Sequence, residues 1–247
     1  ARLPVYVLVI AAFIPETSLL GPFLGYRAAA LLFLYLVGFL AAFLTAKLFN
    51  STILKNESKS CFSLELPPYR WPTVQSIGLR LLDRSMIFLR RAGVMILMVS
   101  IALWFLASIP LIDGEAPQIA DSLAGRIGHI LEPVIEPLGF NWKIGIGLIT
   151  SLAAREVIIG TLGTIYGIEG GGEATFSLQE ALRQDLTLGG AVALLIFFAF
   201  ALQCMSTVAV VYRETGSWKL PTLQFFYMLV LAYLGAWAAN VLVGFWI

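Results

Sequence analysis

IGIGLITSLAAREVIIGTLGTI, residues 144–165, has the length of a membrane crossing but not its content. A spanning helix needs about 20 mainly apolar residues, whereas this stretch carries Arg155-Glu156 at its middle and glycines throughout. A charge held near the bilayer centre costs about 2.5–3.5 kcal/mol on insertion scales, so such residues turn to protein or to a wet cavity. Working outward, residues 28–46, 92–109, 188–211 and 222–245 are four clean matches to the spanning template. Residues 3–14 are apolar but too short to cross alone. The expected fold is all-α, a polytopic membrane protein with a broken or re-entrant helix.

Composition agrees. The 247 residues are 59% hydrophobic and 13% charged, with a mean hydropathy of +0.88, beyond the apolar share of a soluble domain. A net charge of +1 gives no field for nucleic acid, which is excluded as a partner. Cys61 and Cys204 lie far apart in regions of opposite polarity and form no disulfide framework. Ala1-Arg2-Leu3-Pro4 enters an apolar run with no basic leader or cleavage site, so the expectation is a chain that begins inside a longer protein.

Charge distribution sets the orientation. Lys47, Lys55, Lys59, Arg70, Arg80, Arg84, Arg90 and Arg91 make up half of the 16 Lys and Arg, which places residues 47–91 in the cytoplasm. Within them Ile77, Leu81, Met86 and Phe88 mix with arginines, as in an interfacial amphipathic helix feeding into a span. A second interfacial helix is expected over residues 119–131. Residues 110–141 and 166–187 are acidic, each with a single Arg, Arg126 and Arg183, and are expected outside. With both flanks outside, residues 144–165 enter the membrane and turn back; a full crossing is the alternative, because acidic residues contribute little to the orientation rule.

Projected on one helix, Glu156 shares a face with Gly160, Gly163 and Gly167, a small-residue stripe suited to close helix packing. Arg155 and Glu156 diverge by about 100° and so need separate partners. The competing reading of both is a structural ion pair or a cap at a broken helix. Gln203-Cys204-Met205-Ser206-Thr207 interrupts residues 188–211 with polar or sulfur-bearing groups that cover every face of a turn, which predicts local unwinding toward a cavity. A lone membrane cysteine is otherwise a small apolar filler. Together these residues form a candidate transport path whose carboxylate, thiol, thioether and hydroxyls suit a borderline divalent ion. His129, beside Glu132 and Glu136, reads as part of a solvated polar face, and Gly170-Gly171-Gly172 as a turn.

Five landmarks, in order, carry a resemblance: residues 1–6 (ARLPVY), 90–93 (RRAG), 153–157 (AAREV), 161–164 (TLGT) and 213–219 (RETGSWK). They resemble the FeoB family of bacterial ferrous iron permeases. The resemblance implies gate-type repeats, with residues 1–50 as the tail of the first and its following helix, 51–91 a cytoplasmic loop and amphipathic helix, 92–215 the second repeat, and 216–247 a final helix. It places Cys204 at the family's second gate cysteine, with Gln203 where a proline usually stands. It implies Glu156 and Cys204 as transient Fe2+ ligands, with no tightly bound cofactor. It also implies a multi-pass place in the bacterial inner membrane, with the rest of the permease, a GTPase domain and a homo-oligomer as partners. No G-x-x-x-x-G-K-[ST] run is present, so GTP and Mg2+ belong to that upstream domain. The alternatives are a gate-type transporter of an organic solute such as a nucleoside, and a non-transporting scaffold. An intramembrane enzyme lacks support, since no H-E-x-x-H occurs and His129 is the single histidine.

Overall fold

A computed structural model describes residues 3–20, 24–52, 71, 73–109, 120–153, 155, 157–167, 174–201 and 204–246. Ten helices run through them: α1 Leu3–Phe13, α2 Tyr26–Thr52, α3 Val74–Ser108, α4 Leu123–Ile135, α5 Trp142–Ala153, α6 Val157–Ile165, α7 Ala174–Asp185, α8 Leu188–Phe200, α9 Met205–Thr215 and α10 Lys219–Trp246. A minimal antiparallel pair, β1 Ser18–Leu20 and β2 Leu24–Gly25, joins α1 to α2 and is the one departure from an all-helical chain among these residues.

The centre of the bundle is α1. Val5, Tyr6, Leu8, Val9, Ile10 and Ala12 are all buried, covering most of its circumference, as expected of a helix that is apolar all round. It is enclosed by α2, α7 and α8. Pro15 follows its last turn, and the carbonyls left open there are taken by arginines: Arg27 donates to Ile14 O at 2.8 Å, and the Arg183 guanidinium donates to Ala12 O. Cations at a helix C-terminus also match its dipole.

Two helices, spanning Tyr26–Phe49 and Lys219–Trp246, are long and apolar enough to cross a membrane. Leu32, Phe33, Leu36, Phe39, Leu40, Phe43 and Leu44 of α2 are exposed, an apolar surface that suits lipid and not water. The interfacial helix expected near residue 77 and the span at 92–109 form one continuous helix, α3, of 35 residues. The second interfacial helix begins later than expected, at Leu123, where the Ser122 hydroxyl accepts from Gly125 N. The acidic connection 166–187 contains α7, which meets α8 at 114° and buries Leu178 and Leu182, with Leu186 just beyond it, on the spacing of one helix face.

Two span-length segments are broken, the one expected to turn back and the one expected to unwind locally. Residues 144–165 form a hairpin: Thr150 and Thr161 share a hydrogen bond of 2.9 Å, and a Cβ at Gly147 would lie 3.1 Å from Ile158 and 3.4 Å from Leu162. On one straight helix Gly147 and Leu162 would sit about 22 Å apart at 1.5 Å per residue, so the chain turns back between α5 and α6. Residues 188–211 divide into α8 and α9, with the break at Ala201 to Cys204.

α8 packs antiparallel on α10 through small residues: a Cβ at Gly235 would sit 2.7 Å from the Phe200 ring, and one at Gly190 would sit 2.6 Å from the backbone oxygen of Gly139. Gly139 itself has φ of 79°, the left-handed conformation that closes the 3-10 turn after α4. The stripe expected through Gly160, Gly163 and Gly167 is corrected. Among the described residues nothing approaches within 4 Å of a Cβ at any of the three, and Gly167 lies past the end of α6 at φ 65°. Gly160 and Gly163 do lie on α6, but α6 ends before Gly167, so the stripe is not continued to that residue. Gly190→Ala, which must push against backbone, is expected to cost about 1–3 kcal/mol, while Gly160→Ala costs none of this; thermal unfolding in detergent measures the difference.

Candidate functional site

The outer limits of the site are set by one carboxylate. Asp185, the last residue of α7, accepts three hydrogen bonds on Oδ2: from Lys143 Nζ at 2.7 Å, Tyr166 OH at 2.7 Å and Asn141 Nδ2 at 3.1 Å. Asn141 precedes α5 and also caps it, accepting from Ile144 N at 3.0 Å. Tyr166 follows α6, and the Lys143 ammonium lies 4.5 Å over its ring. Both feet of the hairpin are therefore tied to one atom, at one end of the bundle. This is the geometry of a segment that enters and returns on the same side.

Burial alone pushes the Asp185 carboxyl up, but the Lys143 ammonium, the Tyr166 hydroxyl and the Asn141 amide outweigh it and hold the group below the ordinary carboxylate range. The Tyr166 hydroxyl is pushed up by burial first and by Asp185 second, so it stays a donor.

From this node two helices of similar length lead inward. α5 has 12 residues and α8 has 13, so at 1.5 Å per residue the breaks lie about 18 and 20 Å from the tied end. They reach the same place. A cavity of about 270 Å3 is lined by Ser151, Leu152 and Arg155 at the first break and by Phe197, Phe198 and Ala201 at the second, and closed by Leu229 and Tyr233 of α10. Its walls are apolar apart from Ser151, Arg155 and Tyr233. The Tyr233 hydroxyl donates to the carbonyl of Val134, another residue of the wall, at 2.9 Å. The C-terminal ends of α5 and α8 both lie at this cavity.

Arg155 is buried, at 7% exposure, and is not left without an interaction partner. It stands between the two helices of the hairpin, as the reading of a cap or structural ion pair at a broken helix requires. Cys204 precedes α9 in extended conformation, φ −107° and ψ 150°, and its thiol lies 3.2 Å from Thr207 Oγ1. The unwinding expected across Gln203 to Thr207 falls earlier: Met205, Ser206 and Thr207 already belong to the first turn of α9, because the Cys204 carbonyl accepts from Thr207 N at 2.9 Å. Glu156 and Gln203 lie outside the described residues, as do Cys61 and Gly170 to Gly172, and the side chains of Met205 and Ser206 are not described. No group of three or more His, Cys, Asp or Glu side chains that could hold a metal occurs among the described residues. His129 bonds Glu132 at 2.9 Å and lies against the Trp142 ring, a half-exposed polar pair.

The node escaped sequence reading because Lys143 and Asp185 are 42 residues apart and no local spacing links them. The signal available was the helical spacing of Leu178, Leu182 and Leu186, which fixes the face of α7.

Comparison with known proteins follows this architecture. Residues 89–218 match the family described as Gate: Nucleoside recognition, and residues 31–84 match the family described as Ferrous iron transport protein B C terminus. The chain thus defines a gate-type membrane protein. It belongs to the FeoB family, of which it carries the C-terminal membrane part. It is 45% identical to the Fe(2+) transporter FeoB of Leptospira interrogans, over 94% of this chain and 36% of that protein. It is 41% identical to that of Leptospira biflexa over 94% and 35%. It is also 34% identical to an Fe(2+) transport protein A/Fe(2+) transporter FeoB fusion protein of Porphyromonas gingivalis, over 95% and 32%. The chain therefore spans about a third of the length of these relatives. No solved structure matches it.

Because the folded-state carboxyl of Asp185 is held low, its stabilising contribution is complete above the unfolded-state value of about 3.9 and is lost as pH falls through and below it. Acid titration from pH 6 to pH 3 is expected to raise amide hydrogen exchange at the start of α5 and the end of α6. In Asp185→Asn this acid-dependent step is expected to disappear, with exchange raised at every pH.

Proposed function

We propose that this segment forms the membrane path for ferrous iron in a FeoB-type transporter of the bacterial inner membrane, with control supplied by a cytoplasmic GTPase domain elsewhere in the protein. The observation that carries the reading is the meeting of two helix breaks at one cavity. Broken helices supply backbone carbonyls and helix C-termini at mid-depth, which is how secondary transporters hold a cation. Here the C-terminal ends of α5 and α8 both reach the cavity that Arg155 and Ala201 line. The relatives from Leptospira are Fe(2+) transporters by name.

Glu156 and Cys204 are the residues proposed to touch the ion, with Thr207 holding the thiol through the 3.2 Å contact and Gln203, Met205 and Ser206 as neighbours. Fe2+ stands low in the divalent affinity order, so selectivity rests on geometry and access and not on raw affinity. Few, transient ligands keep release fast. The apolar walls of the cavity exclude a hydrated ion in this conformation, so conduction requires the two breaks to separate from the cavity wall. Among partners, the fusion found in Porphyromonas gingivalis supports a functional association with an Fe(2+) transport protein A domain.

In proteoliposomes containing the complete transporter, Glu156→Ala and Cys204→Ser are each expected to lower Fe2+ uptake at least tenfold with normal membrane insertion. Uptake at wild-type rate in both variants would remove the site assignment. Uptake of a nucleoside with no metal dependence would favour the organic-solute alternative that the Gate match keeps in view.

A further inference from the structure

We propose that Asp185 is a positioning residue that makes the α5–α6 hairpin and α8 one mechanical unit, so that the two helix breaks move together. For its transport readout the proposal rests on the iron-path reading; its mechanical content does not.

The argument is one of connectivity. Asp185 ends α7, and Thr187, two residues later, starts α8 by accepting from Gly190 N at 3.1 Å. The carboxylate is thus fixed to the head of α8 by only a short extended link. On its other side it holds the start of α5 through Asn141 and Lys143 and the end of α6 through Tyr166. Short helices transmit a displacement along their axes, because their backbone hydrogen bonds leave little length to absorb it. A shift of the α7–α8 corner must therefore carry the 201–204 break and the 153–157 break by similar amounts.

The rest of the contact between these parts is apolar: Ile144, Ile158 and Leu162 share one core with Leu182, Leu194 and Phe198, which holds the parts together without the direction that a hydrogen bond imposes. α5 and α8 face each other across the cavity, with Leu148 and Leu152 on one side and Phe197 and Phe198 on the other. Apolar surfaces separated by a void can slide. The node is directional, since Lys143 and Asp185 each keep 27% of their side-chain surface exposed while three donors converge on a single oxygen. Loss of one donor loosens the link without removing any core packing, which makes the role separable from stability. The corner has a pivot, because Arg183 donates to Ala12 O and ties α7 to the end of α1. α1, the most enclosed helix, thus serves as the fixed body against which the unit moves.

The test uses the complete transporter in proteoliposomes, with all cysteines other than Cys204 replaced, and reads the rate of Cys204 alkylation by a small thiol reagent together with Fe2+ uptake. Asp185→Asn is expected to change the alkylation rate at least threefold and to lower maximal uptake at least threefold with KM within twofold. Tyr166→Phe, which removes one hydroxyl, is expected to move both in the same direction by a smaller factor. The exchange of charges, Lys143→Asp with Asp185→Lys, is expected to return both toward wild type. An alkylation rate at the wild-type value in Asp185→Asn, or in Tyr166→Phe should the former not fold, overturns the link. So does a charge exchange that restores nothing. Absence of Fe2+ uptake in the unmodified protein would remove the iron reading and leave the alkylation result to decide the link.

Discussion

Three donors converging on Asp185 Oδ2 are the constraint from which the architecture follows. A segment with a charge pair at its centre is stable in a bilayer only where that pair faces protein or a wet cavity. Folding the segment back on itself keeps Arg155 inside protein, and tying both feet to one carboxylate makes the return obligatory. The apolar contact of Gly147 with Ile158 and Leu162 completes the hairpin but does not set where its ends lie.

The same carboxylate explains why the two interruptions in the chain coincide. α5 and α8 start from its immediate neighbourhood and have nearly the same length, so their ends arrive at one depth on either side of one cavity. Neither break is a site by itself. Together they bring two helix C-termini and a buried guanidinium to one cavity, at the cost of interrupting two apolar helices whose backbone must then be satisfied within the protein.

Much of this was legible in the residues. The apolar spans at 28–46 and 222–245 were read from length and composition, which lipid imposes directly on sequence. The break before α9 was read from the polar run at 203–207, and its displacement by a few residues reflects the Cys204 carbonyl accepting from Thr207 N. The return of residues 144–165 was read from acidic flanks, and the hairpin with both ends tied to Asp185 agrees with it. Long-range pairings were not legible. Lys143, Tyr166 and Asp185 carry no signal of their pairing in the sequence, because nothing in local spacing records a contact made by topology. The glycine stripe failed for a related reason: helical projection is valid only within one helix, and Gly167 belongs to the turn beyond α6. The glycines that do allow close approach, Gly189, Gly190 and Gly235, lie on α8 and α10 and face Asn240, Gly139 and Phe200.

The central claim is that residues 144–165 leave the membrane on the side they enter. Its most direct measurement is sided labelling of single cysteines placed at Asn141 and Gly167, in sealed vesicles, with a reagent that does not cross the bilayer. Both positions are expected to react from the same side. Reaction of one from each side would show a complete crossing and contradict the account.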